Sequence, residues 1–384
     1  MERYFDANAT TPLRPEARAA WVEAMDAFWQ NPSSPYRSAA RVHARLEDAR
    51  ETLAELFGIA ADNVVFNSGA TEGNRDVLAY WHRLMSGSRI AVSAVEHPAV
   101  LENARQFWGE RASIIPVGEQ GRVSLSSLEA AIDDGATLIS LMTANNETGV
   151  KQPWREALTL CRKRRVALHV DATQWVGRES LDGLGEVDFV TGSGHKFGGP
   201  KGTGFLLVSA LHSGFSGQRG GAQENDHRAG TENFPAIAGM LAALSAAEAE
   251  RASVAARWHE GRTAFEQALL NDLPGVRIWG QGAERLANTV SAGMPAGENT
   301  RWVRLLDQRG FAVSTGSACA TGKEGPSYVL AAMGVEADDA RRTVRISALP
   351  TATFEDWRDL ASAFRESYQE IRAPRSGSQV IDIP

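Results

Sequence analysis

At 384 residues the chain exceeds the size at which one hydrophobic core stops growing, so two domains are expected, and a hydrophobic content of 43% is ample to fill them. A formal net charge of -7, with no block of lysine and arginine, argues against nucleic acid and membrane surfaces as partners and favours a soluble small-molecule enzyme. Two cysteines, Cys161 and Cys319, exclude a disulfide framework and suit a reducing cytoplasm; residues 1–8 lack the pattern of a secretory signal, and the apolar run 235–247 is too short to cross a bilayer.

Residues 15–29 and 38–56 read as amphipathic helices, the second closed by Gly58. Short apolar strands then alternate with helices: strand 63–66 and helix 71–84, strand 89–93 and helix 98–108, strand 112–117 and helix 126–132. The last helix carries the capping-box pair Ser126 and Glu129. Strand 137–142, helix 155–164 and strands 166–170, 187–191 and 204–208 continue the series. Such alternation implies an α/β fold with a mostly parallel sheet covered by helices on both faces. Residues 214–233 are polar and glycine-rich, a loop so long that it is either functional or disordered. A long helix, 235–270, kinked or broken, leads out of the first domain. Strands 276–279, 288–292 and 343–347, with helices 300–309, 327–333 and 353–371, read as a smaller α+β domain followed by a loosely held tail, 373–384.

Ligands of an open parallel sheet bind beyond the carboxyl ends of its strands, so the residues just past each strand carry the chemistry. Ser68-Gly-Ala-Thr71 opens a helix and aims N–H groups at an anion, although the same residues make an ordinary N-cap. His97 is in the position of a structural histidine or of a ring that stacks on a flat cofactor and moves protons. Asn145-Asn-Glu147 forms a plain turn or offers amides to a phenolate or carboxylate. Asp171-Ala-Thr-Gln174 caps a helix or sets a carboxylate against a heterocyclic cation. Lys196 lies among glycines in 191–203, where a solvated turn is the ordinary reading and the spacing of a phosphate-binding P-loop is absent. Together these strand ends offer an anion cradle, a stacking ring, an amide, a carboxylate and an amine. Those are the parts a pyridoxal phosphate (PLP) site requires.

The ordered set Asp6-Ala-Asn-Ala-Thr-Thr-Pro12, Ser68-Gly-Ala-Thr-Glu72, Asn145-Asn-Glu147, His169-Val-Asp-Ala-Thr-Gln174, Ser193-Gly-His-Lys196, Arg228-Ala-Gly-Thr-Glu-Asn233 and Ser317-Ala-Cys319 resembles the class V aminotransferase group of fold type I PLP enzymes, and within it the NifS/IscS-like cysteine desulfurases. The resemblance runs to the helix near Thr353 and implies a large PLP-binding domain, 15–254, and a small domain, 1–14 with 255–384, carrying a catalytic cysteine loop and a substrate arginine. It implies that Lys196 holds PLP as a Schiff base, that Asp171 pairs with the ring nitrogen, and that Gln174 and Asn146 address the ring oxygen. His97 would stack on the ring and act as acid and base. Ala70, Thr71, Ser193 and His195 would hold the phosphate, with Thr231 reaching in from a second subunit of a homodimer. Arg345, with Asn146 beside it, would bind the substrate carboxylate.

Cys319, flanked by small residues, would be the nucleophile that takes sulfur from L-cysteine as a persulfide, releasing L-alanine. The sulfur would pass to an acceptor protein serving iron-sulfur clusters or a thiolation pathway. Cys161 reads as a buried apolar residue, and no metal site is expected. Two other readings stand beside this one: a selenocysteine lyase or other class V lyase or aminotransferase that does not need Cys319, and a catalytically weak sulfur-relay or scaffold protein. The chain departs from the family at Tyr36, Ala39, Arg75 and Leu349, positions expected near the cofactor entrance or the substrate end.

Overall fold

Seven strands form the central sheet of the computed structural model, which describes residues 3–316 and 326–373. Their order across the sheet is Val64–Asn67, Gly204–Val208, Phe189–Ser193, Ala167–Asp171, Ala136–Ser140, Arg89–Ser93 and Ala112–Ile115. The last five run parallel, while Gly204–Val208 is antiparallel to both of its neighbours. This is the mostly parallel α/β sheet expected from the alternation. Every residue of Ala167–Asp171 and Phe189–Ser193 is buried, as continuous apolar runs require when helices cover both faces. Successive residues feed opposite cores: Phe205 and Leu207 pack on one side of the sheet, Leu206 and Val208 on the other.

A separate core surrounds a three-stranded antiparallel sheet, Thr343–Ser347, Thr289–Gly293 and Arg277–Ile278. Phe5, Trp258, Trp302, Trp357 and Phe364 fill it. Residues 329–340 do not join this core; Val329, Leu330 and Met333 pack instead on Val95 and Met142 at the edge of the large sheet.

The helix expected to be kinked is continuous over the 39 residues Phe234–Asp272. Its first half buries Ile237, Met240 and Leu244 against the large sheet, and its second buries Val254, Trp258 and Phe265 in the small core. The apolar face changes partner midway, so no single stripe runs its length and the pattern imitates a break. Its glycines are sites of close approach. A Cβ at Gly261 would lie 2.1 Å from Trp357 Cδ1, and one at Gly239 3.1 Å from the Ala17 carbonyl.

The expected capping box is also displaced. Helix Leu125–Asp133 starts one residue earlier, and Ser124 caps it by accepting the Ser127 N–H at 3.0 Å, which turns Leu128 into the core. The long loop 214–233 is anchored. Glu224, 3% exposed, accepts from Arg50 at 2.7 and 3.1 Å and from the Phe66 N–H at 2.8 Å. That grip holds Glu224, Asn225 and Asp226 at φ values of 50°, 53° and 65°, a left-handed run that non-glycine residues rarely adopt. Among the described residues no helix is long and apolar enough to cross a membrane.

Candidate active site

The carboxyl ends of the parallel strands open on a cavity of about 560 Å³. Its wall includes Ala70, Thr71, His97, Asn146, Asp171, Gln174, Ser193, His195, Lys196 and Arg345, which the sequence places far apart. Thr231 is exposed and does not line it. Cys319 lies outside the described residues. Burial pushes the Cys161 thiol up to about 12, so it stays protonated and inert at neutral pH.

Lys196 ends the short turn Gly194–Lys196 that follows strand Phe189–Ser193. Its ammonium donates to the main-chain oxygens of Asn8 and Ala9 at 2.7 and 2.8 Å. Asn8 is the junction of the site. Its side chain donates to the Asn146 carbonyl at 3.1 Å and to Thr289 Oγ1 at 2.9 Å, its N–H reaches Ser347 Oγ at 2.9 Å, and its carbonyl also accepts from Gln174 Nε2 at 3.0 Å.

Asp171 ends strand Ala167–Asp171 and is 5% exposed. Its Oδ1 accepts the Thr173 N–H at 2.9 Å and its Oδ2 accepts from Asn74 Nδ2 at 2.7 Å. Asn74 is a site residue that sequence reasoning passed over. It is fully buried on helix Ala70–Leu84, four residues beyond Ala70 and therefore on the same helical face, which was the available signal. Beneath Asp171, His169 is buried between Ser140 Oγ at 2.8 Å and Thr191 Oγ1 at 3.2 Å, and burial pushes its ring down to about 4.

His97 caps helix Pro98–Trp108: its Nδ1 accepts the Ala99 N–H at 3.1 Å, which leaves the ring proton on Nε2. Burial lowers its pKa, the charge of Lys196 adds to the shift and that of Asp171 opposes it. The ring is thus neutral at physiological pH. Next to it Glu96 is fully buried; Oε1 accepts the Met142 N–H at 2.6 Å and Ser93 Oγ–H at 2.8 Å, Oε2 has no partner, and burial pushes the carboxyl up to about 8. No sequence pattern distinguished it from a surface glutamate.

At the opposite end no side chain caps helix Ala70–Leu84, whose first N–H groups face the cavity rim beside Ser193. Gly69 precedes it at φ 139°, and a Cβ there would stand 3.4 Å from Ser193 Oγ, within the cradle. His195 Nδ1 lies 3.0 Å from Thr10 Oγ1. Burial, with the charges of Lys196, Lys201 and Arg178, pushes the His195 ring down to about 4, so it offers a neutral N–H rather than a charge. The Glu72 carboxylate on the same wall is already engaged: burial alone would raise its pKa, but bonds from Arg228 and Ser68 outweigh this and hold it low.

Arg345 comes from strand Thr343–Ser347 and is 1% exposed. Its Nη1 donates to the Asn146 carbonyl at 3.2 Å and its Nη2 to Asp6 Oδ1 at 2.5 Å. Among the described residues, three buried atoms of cavity-lining residues have no hydrogen-bond partner: Arg345 Nε, Asn146 Oδ1 and Thr173 Oγ1. A polar ligand is the usual means of satisfying such groups.

The four departures from the family pattern, expected near the cofactor entrance or the substrate end, are not among the residues that line this cavity. Tyr36 is exposed and Ala39 is buried in helix Arg37–Phe57. Arg75 follows Asn74, so the helix turns it outward, where it pairs with Asp76 at 3.0 Å. Leu349 lines a second cavity of about 400 Å³, which shares Lys196 with the first.

The sequence profile of the family described as aminotransferase class-V matches residues 3–360. A cysteine desulfurase of Cereibacter sphaeroides is 38% identical over 360 residues, spanning 90% of this chain and 91% of that relative. The cysteine desulfurase IscS of Dictyoglomus turgidum is 35% identical over 361 residues, spanning 92% and 91%. A solved NifS-like protein superposes with a TM-score of 0.88 at 30% identity, covering 95% of this chain and 99% of that one. The NifS-like protein of Rickettsia africae does so with a TM-score of 0.84 at 30% identity, covering 97% and 99%.

Proposed function

The chain belongs to the aminotransferase class-V family and is a cysteine desulfurase of fold type I, and from that premise we propose that it works with PLP on Lys196 and passes the sulfur of L-cysteine to Cys319, releasing L-alanine. The observation that carries the cofactor reading is the state of Asp171. This buried carboxylate accepts from two neutral donors, Asn74 and the Thr173 N–H. A buried anion of this kind is stable when a ligand brings the positive charge, as a protonated heterocycle does. The unpartnered Thr173 and Arg345 atoms, the uncapped helix and the amine of Lys196 supply donors, and the unpartnered Asn146 Oδ1 an acceptor, in a polar set that fits PLP.

When bound, PLP supplies an electron sink for bonds at the substrate α-carbon. Asp171 keeps the ring nitrogen protonated, and Gln174 and Asn146 donate toward the ring oxygen. His97, neutral with its proton on Nε2, would stack on the ring and hold or move a proton at that atom. Ala70, Thr71, Ser193 and His195 bind the phosphate. Arg345 forks the substrate carboxylate while Asp6 steadies its Nη2. The Cys319 thiolate forms an S–S bond as the substrate C–S bond breaks; the carbon keeps that electron pair, takes a proton and leaves in L-alanine.

The division into 15–254 and 1–14 with 255–384 draws support from the core around the three-stranded sheet, although residues 329–340 pack on the large sheet. The working form is a homodimer in which Thr231, exposed beyond the pinned loop, reaches the phosphate of the other subunit. A cytoplasmic acceptor protein then takes the sulfur for iron-sulfur clusters or thiolation. The test is alanine release from L-cysteine by PLP-loaded wild type, C319S and K196A, with the persulfide trapped by alkylation. Alanine and a labelled Cys319 in wild type alone are expected. Alanine from C319S would instead favour a lyase that does not need this thiol.

A further inference from the structure

Behind the cavity wall sits an arginine that neither the motifs nor the proposed chemistry uses. Arg178 is 5% exposed. Its guanidinium donates to Asn8 Oδ1 at 2.8 Å, to Gln174 Oε1, and to the main-chain oxygens of Ala7 and Lys196 at 3.3 and 3.4 Å. Among the described residues no carboxylate pairs with it, and the adjacent Glu179 pairs with Lys151 instead. Burial, and then the charge of Arg345, brings it down to about 10, so it remains a cation at neutral pH. A buried cation without an anion is strongly penalised, and such groups concentrate where a ligand brings the missing sign.

The contacts also decide the orientation of an amide. Arg178 takes the carbonyl oxygen of Gln174, so the Gln174 nitrogen faces the Asn8 carbonyl at 3.0 Å and the cavity. A swapped amide would set N–H against N–H. We infer that Arg178 is a positioning residue of the reaction: it locks the Gln174 amide with its donor toward the ring oxygen of bound PLP and sets a positive charge behind that oxygen. The inference rests on the PLP reading above. An amide polarised by a cation is a stronger donor, and the effect passes to an oxygen conjugated with the Lys196 linkage. It favours the anionic oxygen and the unprotonated linkage nitrogen. Asp171, His97, His195, Lys201, Glu72 and Arg345 are the other charged or titratable groups on this wall, with Asp6 held on Arg345 and Arg228 on Glu72, and Arg14, Glu16, Glu250 and Arg257 line the second cavity that Lys196 and Arg178 share; substitution at 178 leaves them in place.

The experiment is a pH titration of the visible absorbance of PLP-loaded wild type, R178K, R178Q and Q174L. Removing the charge in R178Q is expected to raise the apparent pKa of the transition by about one unit, roughly tenfold in the protonation constant. R178K, which keeps the charge, should return most of the way to wild type. Q174L keeps Arg178 but removes the relay, so it should shift in the same direction and carries the test should R178Q not fold. A transition unmoved in R178Q, or in Q174L where R178Q does not fold, overturns the role given to Arg178. Borohydride reduction and peptide mapping separate that failure from a deeper one. A pyridoxyl group on Lys196 with an unmoved transition sinks Arg178 alone, whereas its absence from wild type sinks the PLP reading and this inference with it.

Discussion

Asn74 Nδ2 stands 2.7 Å from Asp171 Oδ2, so a helix side chain fixes the carboxylate at the end of the neighbouring strand. N74A is expected to weaken PLP binding roughly tenfold, the scale of one hydrogen bond to a charged group. N74D should do worse. It sets two carboxylates in contact, one of which must hold a proton, and the charge owed to the ring nitrogen is shared. Equilibrium dialysis followed by cofactor absorbance measures both; an N74D protein that retains PLP like wild type would refute the assignment.

Glu96 binds a proton on folding, since burial lifts its carboxyl from an ordinary 4.5 to about 8. The folded chain keeps this proton where the unfolded chain releases it. The resulting stability is present below pH 4.5 and is lost as pH rises through about 8, at about 1.4 kcal/mol per pH unit in between. E96Q cannot ionise, and its amide oxygen can keep the bonds from Met142 and Ser93. Its stability relative to wild type should therefore grow between about pH 5 and pH 8 in urea unfolding. A difference that stays flat across that window would mean that Glu96 is ionised throughout.

Arg50 and Glu224 are both nearly inaccessible, with side chains 2% and 1% exposed. Removing one partner leaves a buried charge and also frees the strained turn, so E224A and R50M should each cost about 3–5 kcal/mol. R50M/E224L should cost less than the sum, because no lone charge remains. Denaturant midpoints decide the point; a loss below about 1 kcal/mol in E224A would place the pair among weak surface bridges.

At Gly261 helix propensity and packing point in opposite directions. Alanine gains up to about 1 kcal/mol in a helix interior, but its Cβ would meet Trp357 Cδ1 at 2.1 Å. Trp357 is wedged between Phe5 and Phe265, with ring centroids 5.0 and 5.3 Å away, and has little room to retreat. G261A should lower the thermal midpoint by the equivalent of about 1–3 kcal/mol and alter the near-ultraviolet tryptophan signal. An unchanged or higher midpoint would show that the ring can move.

Strands and strand ends were legible because burial on both faces writes unbroken apolar runs, and because the polar residue that ends each run is the one left facing the ligand. Asp171, His97 and Lys196 were found in that way. Asn74 and Arg178 were not, since each reads as an ordinary polar residue of a helix or turn until the fold brings Asp171 against the one and Asn8 against the other. The burial of Glu96 and Glu147 was illegible for a related reason. Composition treats a glutamate as solvated, whereas here Ser93 and Met142 hold one, and Ser327 the other at 2.5 Å. The serine at 124 rather than 126 starts its helix because Leu128 must face the core, a tertiary demand that the local capping pattern does not carry.

The junction at Asn8 also sets a timetable. Its contacts reach across 188 residues to Lys196, 281 to Thr289 and 339 to Ser347. On a ribosome that issues the chain from its amino end, the large sheet can form while strand Thr343–Ser347 is still unmade, yet the wall that carries Asn8 cannot close. Maturation of the site is then a late event, with cofactor capture following the emergence of the final strand.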